Sequence, residues 1–362
     1  MAMIDPDTLH GLLTDRGPVI SLYLPVDPRQ RDVREPEARL QTLINEASAL
    51  LDAQGLDAGE RETLLEPIRT MGAELDFASH RGQGVALFGG DRARVAVPLP
   101  AELPPMATVG DVPHLKPLLR FMAWNQGFHV LALSAENVRL YRGTAFGFEE
   151  AALHEMPEEV QASLDSRAEG GETIGQDARI AALVQDPHRV AYAVRKALGS
   201  DPSPVLLAAE PQVGGHFAPA AHLPQLLEDR LSLNPFAFSP AELHAKALAM
   251  LQPLMDVELT TMLDHVNARL GTAEPNVAIR FEEILQAAQE GRVESVLVAE
   301  DEALWGHVVP DATLTARGTR QPGDDDLLNL AAVLTLRTGG KAFARPRAEI
   351  PRQAPAVALL RY

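Results

Sequence analysis

Apolar and polar positions alternate along this chain between a period of two and a period near 3.6, which predicts strands and helices in turn. The run Val19-Ile20-Ser21-Leu22-Tyr23-Leu24 is β-branched and aromatic and stops at Pro25, a strand by composition. From 37 to 51, Leu40, Leu43, Ile44, Ala47, Leu50 and Leu51 recur on one helical face. The segments 84–88 and 94–99 flank Gly89-Gly90-Asp91, the turn chemistry of a hairpin. Pro100, Pro104, Pro105, Pro113 and Pro117 then mark an extended connection. A second hairpin is predicted from 128–134 and 138–143 about a turn at Glu136-Asn137. A polar stretch without periodicity, 165–177, precedes a helical run at 190–198 and a short buried strand at 205–209. Helical pattern dominates 241–270, with Leu243, Ala247, Leu248 and Leu251 together, and breaks at Ala273-Glu274-Pro275.

The last segment, from Asn276, is the most informative. A helix over 281–288 ends at Gly291-Arg292-Val293 and passes into the apolar run Val296-Leu297-Val298-Ala299. A second helix over 326–336 stops at Gly339-Gly340, read as a C-cap followed by a strand. The chain closes on a strand ending Leu359-Leu360-Arg361-Tyr362. That order is an α/β sandwich with short polar loops on one edge. The whole is therefore expected to be a mixed α/β protein of three domains, 1–127, 128–272 and 273–362.

Length supports more than one core, since single cores stop growing well before 362 residues. Hydrophobic content of 46% with 23% charged residues is that of a globular soluble protein. No apolar run is long enough to span a bilayer and no basic-then-apolar leader is seen, so a cytoplasmic location without membrane contact is expected. With no cysteine, disulfides, thiolate zinc sites and cysteine nucleophiles are excluded. Fifty acidic against 32 basic residues give a net charge of −18, which repels phosphate on average. Any RNA contact must use a local basic surface. The tail supplies a candidate in Arg337, Lys341, Arg345, Arg347, Arg352 and Arg361 against the single acid Glu349; a solvated, salt-bridged face is the other reading.

Catalytic signatures are sparse. His154-Glu155 runs into Pro157, which breaks the face a zinc helix needs, and there is no G-x-S-x-G elbow. Gly339-Gly340-Lys341 lacks the upstream glycine and hydroxyl of a phosphate loop. Asp324-Asp325-Asp326, just before a helix, is read as N-terminal capping rather than as a metal cluster. His244 and His265 are read as surface or interhelical residues. No metal and no cofactor is expected. The loop 167–179, with Gly170, Gly171 and Gly175, allows close backbone approach to another molecule, or is a plain surface loop.

Taken together, Ala287-Ala288, Gly291-Arg292-Val293, Val296-Leu297-Val298, Trp305-Gly306, Asp326-Leu327-Leu328, Ala331, Thr335, Gly339-Gly340 and Leu360-Arg361-Tyr362 resemble the bacterial branch of the archaeo-eukaryotic release-factor and Pelota superfamily. The strand at 205–209 and Glu242-Leu243-His244 agree upstream, so the resemblance covers 128–362. It implies a central ribonuclease-H-like domain and a C-terminal α/β/α sandwich like the kink-turn-binding ribosomal proteins. It also implies ribosomal RNA or tRNA as partner, with a translational GTPase as a second possible one. In release factors the central domain carries a Gly-Gly-Gln loop, and Gly170-Gly171 occupies the matching place. Here Glu172 follows and Gln176 comes too late. A carboxylate is acceptor-only and cannot supply the amide's hydrogen bond. Peptide release is therefore not carried over, nor is stop-codon reading, because 1–127 does not match a codon-reading domain.

The reading favoured by these residues is a ribosome-associated, release-factor-like protein acting in rescue, quality control or dormancy, with Arg337, Lys341, Arg345, Arg347 and Arg352 as RNA contacts. A peptidyl-tRNA hydrolase or metal-dependent nuclease is the enzymatic alternative. It would need convergent carboxylates, which 130–133 and 205–208 do not contain; Asp165, Glu169, Glu172 and Asp177 are the remaining candidates. A non-ribosomal interaction scaffold is the third.

Overall fold

The computed structural model describes residues 6–15, 17–26, 34–77, 83–90, 94–99, 103–122, 127–134, 137–153, 187–270, 276–308, 314–317 and 319–362. The chain forms two compact units. One combines 1–124 with 254–362, and the other is 125–253.

In the first unit, helix α1 (Pro6–Thr14) precedes strand β1 (Val19–Val26), buried along its whole length. Helices α2 (Arg34–Ala53) and α3 (Ala58–Ala73) follow, then β2 (Gln83–Gly89), β3 (Arg94–Leu99) and β4 (Met106–Gly110). The four strands form an antiparallel sheet in the order β3-β2-β1-β4, with Leu22 opposite Leu87 and Ile20 opposite Val109. The predicted apolar face of α2 is the one that packs: Leu40, Leu43, Ile44, Ala47 and Leu51 join Leu22, Leu24, Val85 and Leu87 in one core. Helix α3 carries a capping box. Asp57 accepts from the Gly59 and Glu60 amides while the Glu60 side chain accepts from the Asp57 amide. The short α4 (Leu119–Met122) ends this part.

The second unit is built on a five-stranded sheet. Strands β5 (Phe128–Leu133), β6 (Val138–Gly143) and β7 (Phe148–Ala151) form an antiparallel meander. After helix α5 (Pro187–Leu198), strand β8 (Val205–Ala209) lies parallel to β5. Helix α6 (Pro211–Ala221) then leads to β9 (Leu226–Ser232), parallel to β8, giving the order β7-β6-β5-β8-β9. Alternation along β5 divides its two faces. Leu131 and Leu133 meet Val190 and Val194 of α5 and Val213 and Phe217 of α6. Phe128 instead stacks on His244 of helix α7 (Pro240–Met255), with ring centroids 6.0 Å apart.

The remaining elements complete the first unit. Helix α8 (Val257–Leu270) is followed by β10 (Val277–Ala278), α9 (Phe281–Gln289), β11 (Val293–Ala299), β12 (Trp305–Val308), β13 (Leu314–Arg317) and β14 (Asp325–Asp326). Then come α10 (Leu327–Arg337), β15 (Lys341–Arg345) and β16 (Ala356–Leu360). A mixed sheet runs β10-β16-β11-β15, with β11 parallel to β15 and antiparallel to β16. β16 is buried throughout, and β11 everywhere but Glu294, so both faces of this sheet are covered. Gly291 at φ +70° and Gly339 at φ +74° close α9 and α10 in the left-handed conformation predicted for them. The helical pattern read over 241–270 is two helices. They meet at Asp256, after Pro253 in the last turn of α7, and the second contributes Leu259, Met262 and Val266 to the C-terminal core.

Candidate nucleic-acid interface

The tail's basic side chains are held by acids and carbonyls from distant parts of the chain. Arg337, in the last turn of α10, donates from Nε to Leu13 O and from Nη2 to Asp15 O at 3.0 Å, so it secures the carboxyl end of α1. Arg345 is 15% exposed in its side chain, paired with Asp256 and donating to Ala344 O at 2.9 Å. Lys341 Nζ lies 2.6 Å from Glu258 Oε1, both well exposed. Arg347 pairs with Glu302 and donates to Gln353 O at 2.7 Å, while its amide donates to Asp301. Arg352 reaches Leu270 O at 3.4 Å, and Arg361 donates to Thr338 O and Gly291 O.

These contacts fall into two groups. Arg337 and Arg345 are each tied to the fold by at least two bonds, and Arg345 has little exposure. Lys341, Arg347 and Arg352 sit in exposed pairs or single bonds, which contribute about 0–1 kcal/mol and exchange readily. Arg352 and Gln353 also hold left-handed backbone in succession, φ +59° and +51°, between the buried Ile350 and Ala354. Non-glycine residues pay for that conformation, and such strain collects where a loop is held for use.

Beside this surface lies a buried polar junction that joins the N-terminal sheet to α10. Asn329 Oδ1 accepts the amides of Leu115 and Lys116 at 2.8 and 3.0 Å, and its Nδ2 donates to Pro113 O at 3.0 Å. Ser21 Oγ accepts the His114 amide, and Tyr23 Oη donates to His114 O. Lys116 Nζ is 2.5 Å from Asp326 Oδ2, a buried oxygen that relies on that charge. Asp326 Oδ1 caps α10 by accepting from Leu328, as the sequence suggested for this aspartate run. Asp324 instead pairs with Arg317 at 2.7 Å and accepts from Gln321.

A cavity of about 10 Å³ remains among Thr108, Gly110, His114, Trp305, Arg320 and Asp325, and holds one water at most. Burial, then the neighbouring Asp111 carboxylate, pushes Asp325 up to about 6. Burial pushes His114 down to about 4, with Asp326 pulling the other way. A Cβ on Gly110 would lie 2.0 Å from Asp325 Oδ1, so any larger residue there displaces that carboxylate.

The glycine loop with Gly170, Gly171, Glu172 and Gln176 lies outside the described residues, as do His154, Asp165, Glu169 and Asp177. β5 and β8 are buried throughout and carry no carboxylate. Among the described residues, no three His, Asp or Glu side chains are arranged to hold a metal ion, and no helix is long and apolar enough to cross a membrane. His265 is exposed, as expected. His244 is not: it is buried, stacked on Phe148 at 5.0 Å and on Phe128, with Nε2 2.8 Å from Thr144 O. Burial lowers it to about 4. Lys116, His114 and Asn329 were missed from the sequence; the aspartate run before α10 was the one local sign of the junction they form.

Residues 127–292 match the model of the bacterial archaeo-eukaryotic release factor family 3. The match ends before Val296–Val298, Trp305-Gly306 and Asp326–Leu328, on which the resemblance also drew. None of the curated proteins compared with the chain matches it. Among solved structures, the archaeal translation termination factor aRF1 is 12% identical over 99% of both chains, with a TM-score of 0.24. Dom34 of S. cerevisiae, described as a translation termination-like factor, is 11% identical over 96% of this chain and 97% of its own, at 0.33. The Pelota protein of Thermoplasma acidophilum is 8% identical over 100% and 95%, at 0.26. Scores this low leave the family match to place the chain. Over residues 127–292, a little under half of its length, the chain is similar to the bacterial archaeo-eukaryotic release-factor-like proteins.

Proposed function

We propose that this protein is a ribosome-associated, release-factor-like factor of the Pelota type, acting in rescue, quality control or dormancy without cleaving peptidyl-tRNA. The match of residues 127–292 to the family model carries this reading. The strand order of the 125–253 unit supports it, since a three-strand meander followed by two parallel strands is the arrangement of ribonuclease-H-like domains. Glu172 after Gly170-Gly171 supports the absence of hydrolysis, because an ionised carboxylate donates no hydrogen bond. Carboxylate-free β5 and β8 speak against a two-metal nuclease.

Within this reading Lys341, Arg347 and Arg352 meet RNA phosphates, exchanging weak carboxylate and carbonyl contacts for stronger ones. Arg337 and Arg345 hold the fold instead. The test is co-sedimentation with ribosomes at low and moderate salt. The parent protein pellets, and Lys341→Glu/Arg347→Glu/Arg352→Glu reduces the pelleted fraction. No pelleting at either salt overturns the reading.

A further inference from the structure

A second cationic surface lies on the 125–253 unit. Helix α5 buries Val190, Ala191, Ala193, Val194 and Leu198, which turns the opposite stripe outward. That stripe consists of His188, Arg189, Tyr192, Arg195 and Lys196, at the i, i+4, i+7/i+8 spacing of one helical face. Tyr192 is 57% exposed, among the few large hydrophobic side chains so placed. His188 stacks on His222, at the end of α6, with centroids 6.1 Å apart.

We infer that this face of α5 binds single-stranded RNA, with Arg189, Arg195 and Lys196 on phosphates and Tyr192 stacked on a base. The inference rests on the ribosomal reading for its setting and names a second contact, independent of the tail. Charge decides the occupant: local cations on an acidic protein select a polyanion. Chemistry of the stripe decides which polyanion. A membrane-surface helix buries a continuous apolar face in the lipid, whereas here the aliphatic side chains of α5 are buried in the protein, save the small Ala197. A single aromatic beside guanidinium and ammonium groups is the combination that stacks bases while tracking a phosphate backbone.

The test is fluorescence anisotropy of the full chain with a fluorescein-labelled single-stranded RNA of about 20 nucleotides, across a salt series. Tyr192→Ala weakens binding at least about fivefold at every salt concentration. Arg195→Ala/Lys196→Ala flattens the dependence of log K on log salt by about 1.4, roughly 0.7 for each lost phosphate contact. Unchanged circular dichroism is expected, since these side chains point to solvent. Equal RNA binding by parent and both variants overturns the inference. So does tighter binding to phosphatidylserine vesicles, lost in the same variants. Ribosome pelleting separates the two claims. A parent that pellets, with variants that pellet equally, overturns this face and leaves the ribosomal reading. A parent that binds the RNA through this face yet never pellets leaves the face and removes the ribosome.

Discussion

The side-chain oxygen of Asn329 accepts the backbone amide of Leu115 at 2.8 Å, across 214 residues of sequence. The same amide group takes the Lys116 N–H and gives a hydrogen bond to Pro113 O, so one side chain satisfies three buried backbone groups. These bonds help join the N-terminal sheet to the C-terminal elements within one unit. Replacing Asn329 by Ala leaves all three without partners and should destabilise the protein by about 3 kcal/mol or more, read from urea unfolding. Asn329→Asp keeps the acceptor, loses the donor to Pro113, and should fall between the two.

Lys116 and Asp326 are a buried pair, 6% and 1% exposed in their side chains. Removing the positive charge alone, as in Lys116→Met, strands a carboxylate and should destabilise by about 3–5 kcal/mol. Asn is as good an N-cap as Asp, so Lys116→Met/Asp326→Asn should recover much of the loss. A double-mutant cycle by thermal unfolding measures this. Additive losses would show that the two residues do not act on each other.

Stability should fall as pH drops from 6.5 towards 4. His114 and His244 are held neutral to about 4, while the unfolded chain takes their protons near 6.5. Protons therefore favour the unfolded state in that window, by about 3 kcal/mol for each histidine. Asp325 acts the other way between 6 and 3.8, because the folded state takes its proton first. That offsets about one histidine, leaving a net loss of about 3 kcal/mol. Urea unfolding at pH 7 and pH 4.5 checks the sign, and His244→Gln should flatten the curve.

Arg352→Gly should raise stability by about 1 kcal/mol while removing a proposed phosphate contact, since glycine carries φ +59° without strain. The combination of a higher melting temperature with weaker ribosome pelleting is the expected signature. Lower stability would show that the Arg352 bond to Leu270 O outweighs the strain.

Local signals were read well from sequence because their causes are local. The face of α2, the glycine stops after α9 and α10, and the cap at Asp326 each depend on residues within a turn or two. Helix α3 was not read from the sequence despite its local Asp57–Glu60 capping box, because its apolar stripe is weak. The partners of the tail's cations could not be named, because the acids Asp256, Glu258, Asp301 and Glu302 lie 45 to 89 residues away in sequence and only folding brings them together. His244 was misjudged for the same reason: Phe128 and Phe148, which bury it, lie more than a domain's hairpin upstream. Nothing near Asn329 announces that its partner is the segment 113–116.

Cryo-electron microscopy of ribosomes incubated with the purified protein tests the central claim most directly. The account predicts density for the protein on the tRNA-accepting side, with α5 and the Arg347–Arg352 loop against ribosomal or transfer RNA. Ribosomes that carry the protein on their solvent face, or carry none at saturating concentration, would contradict it.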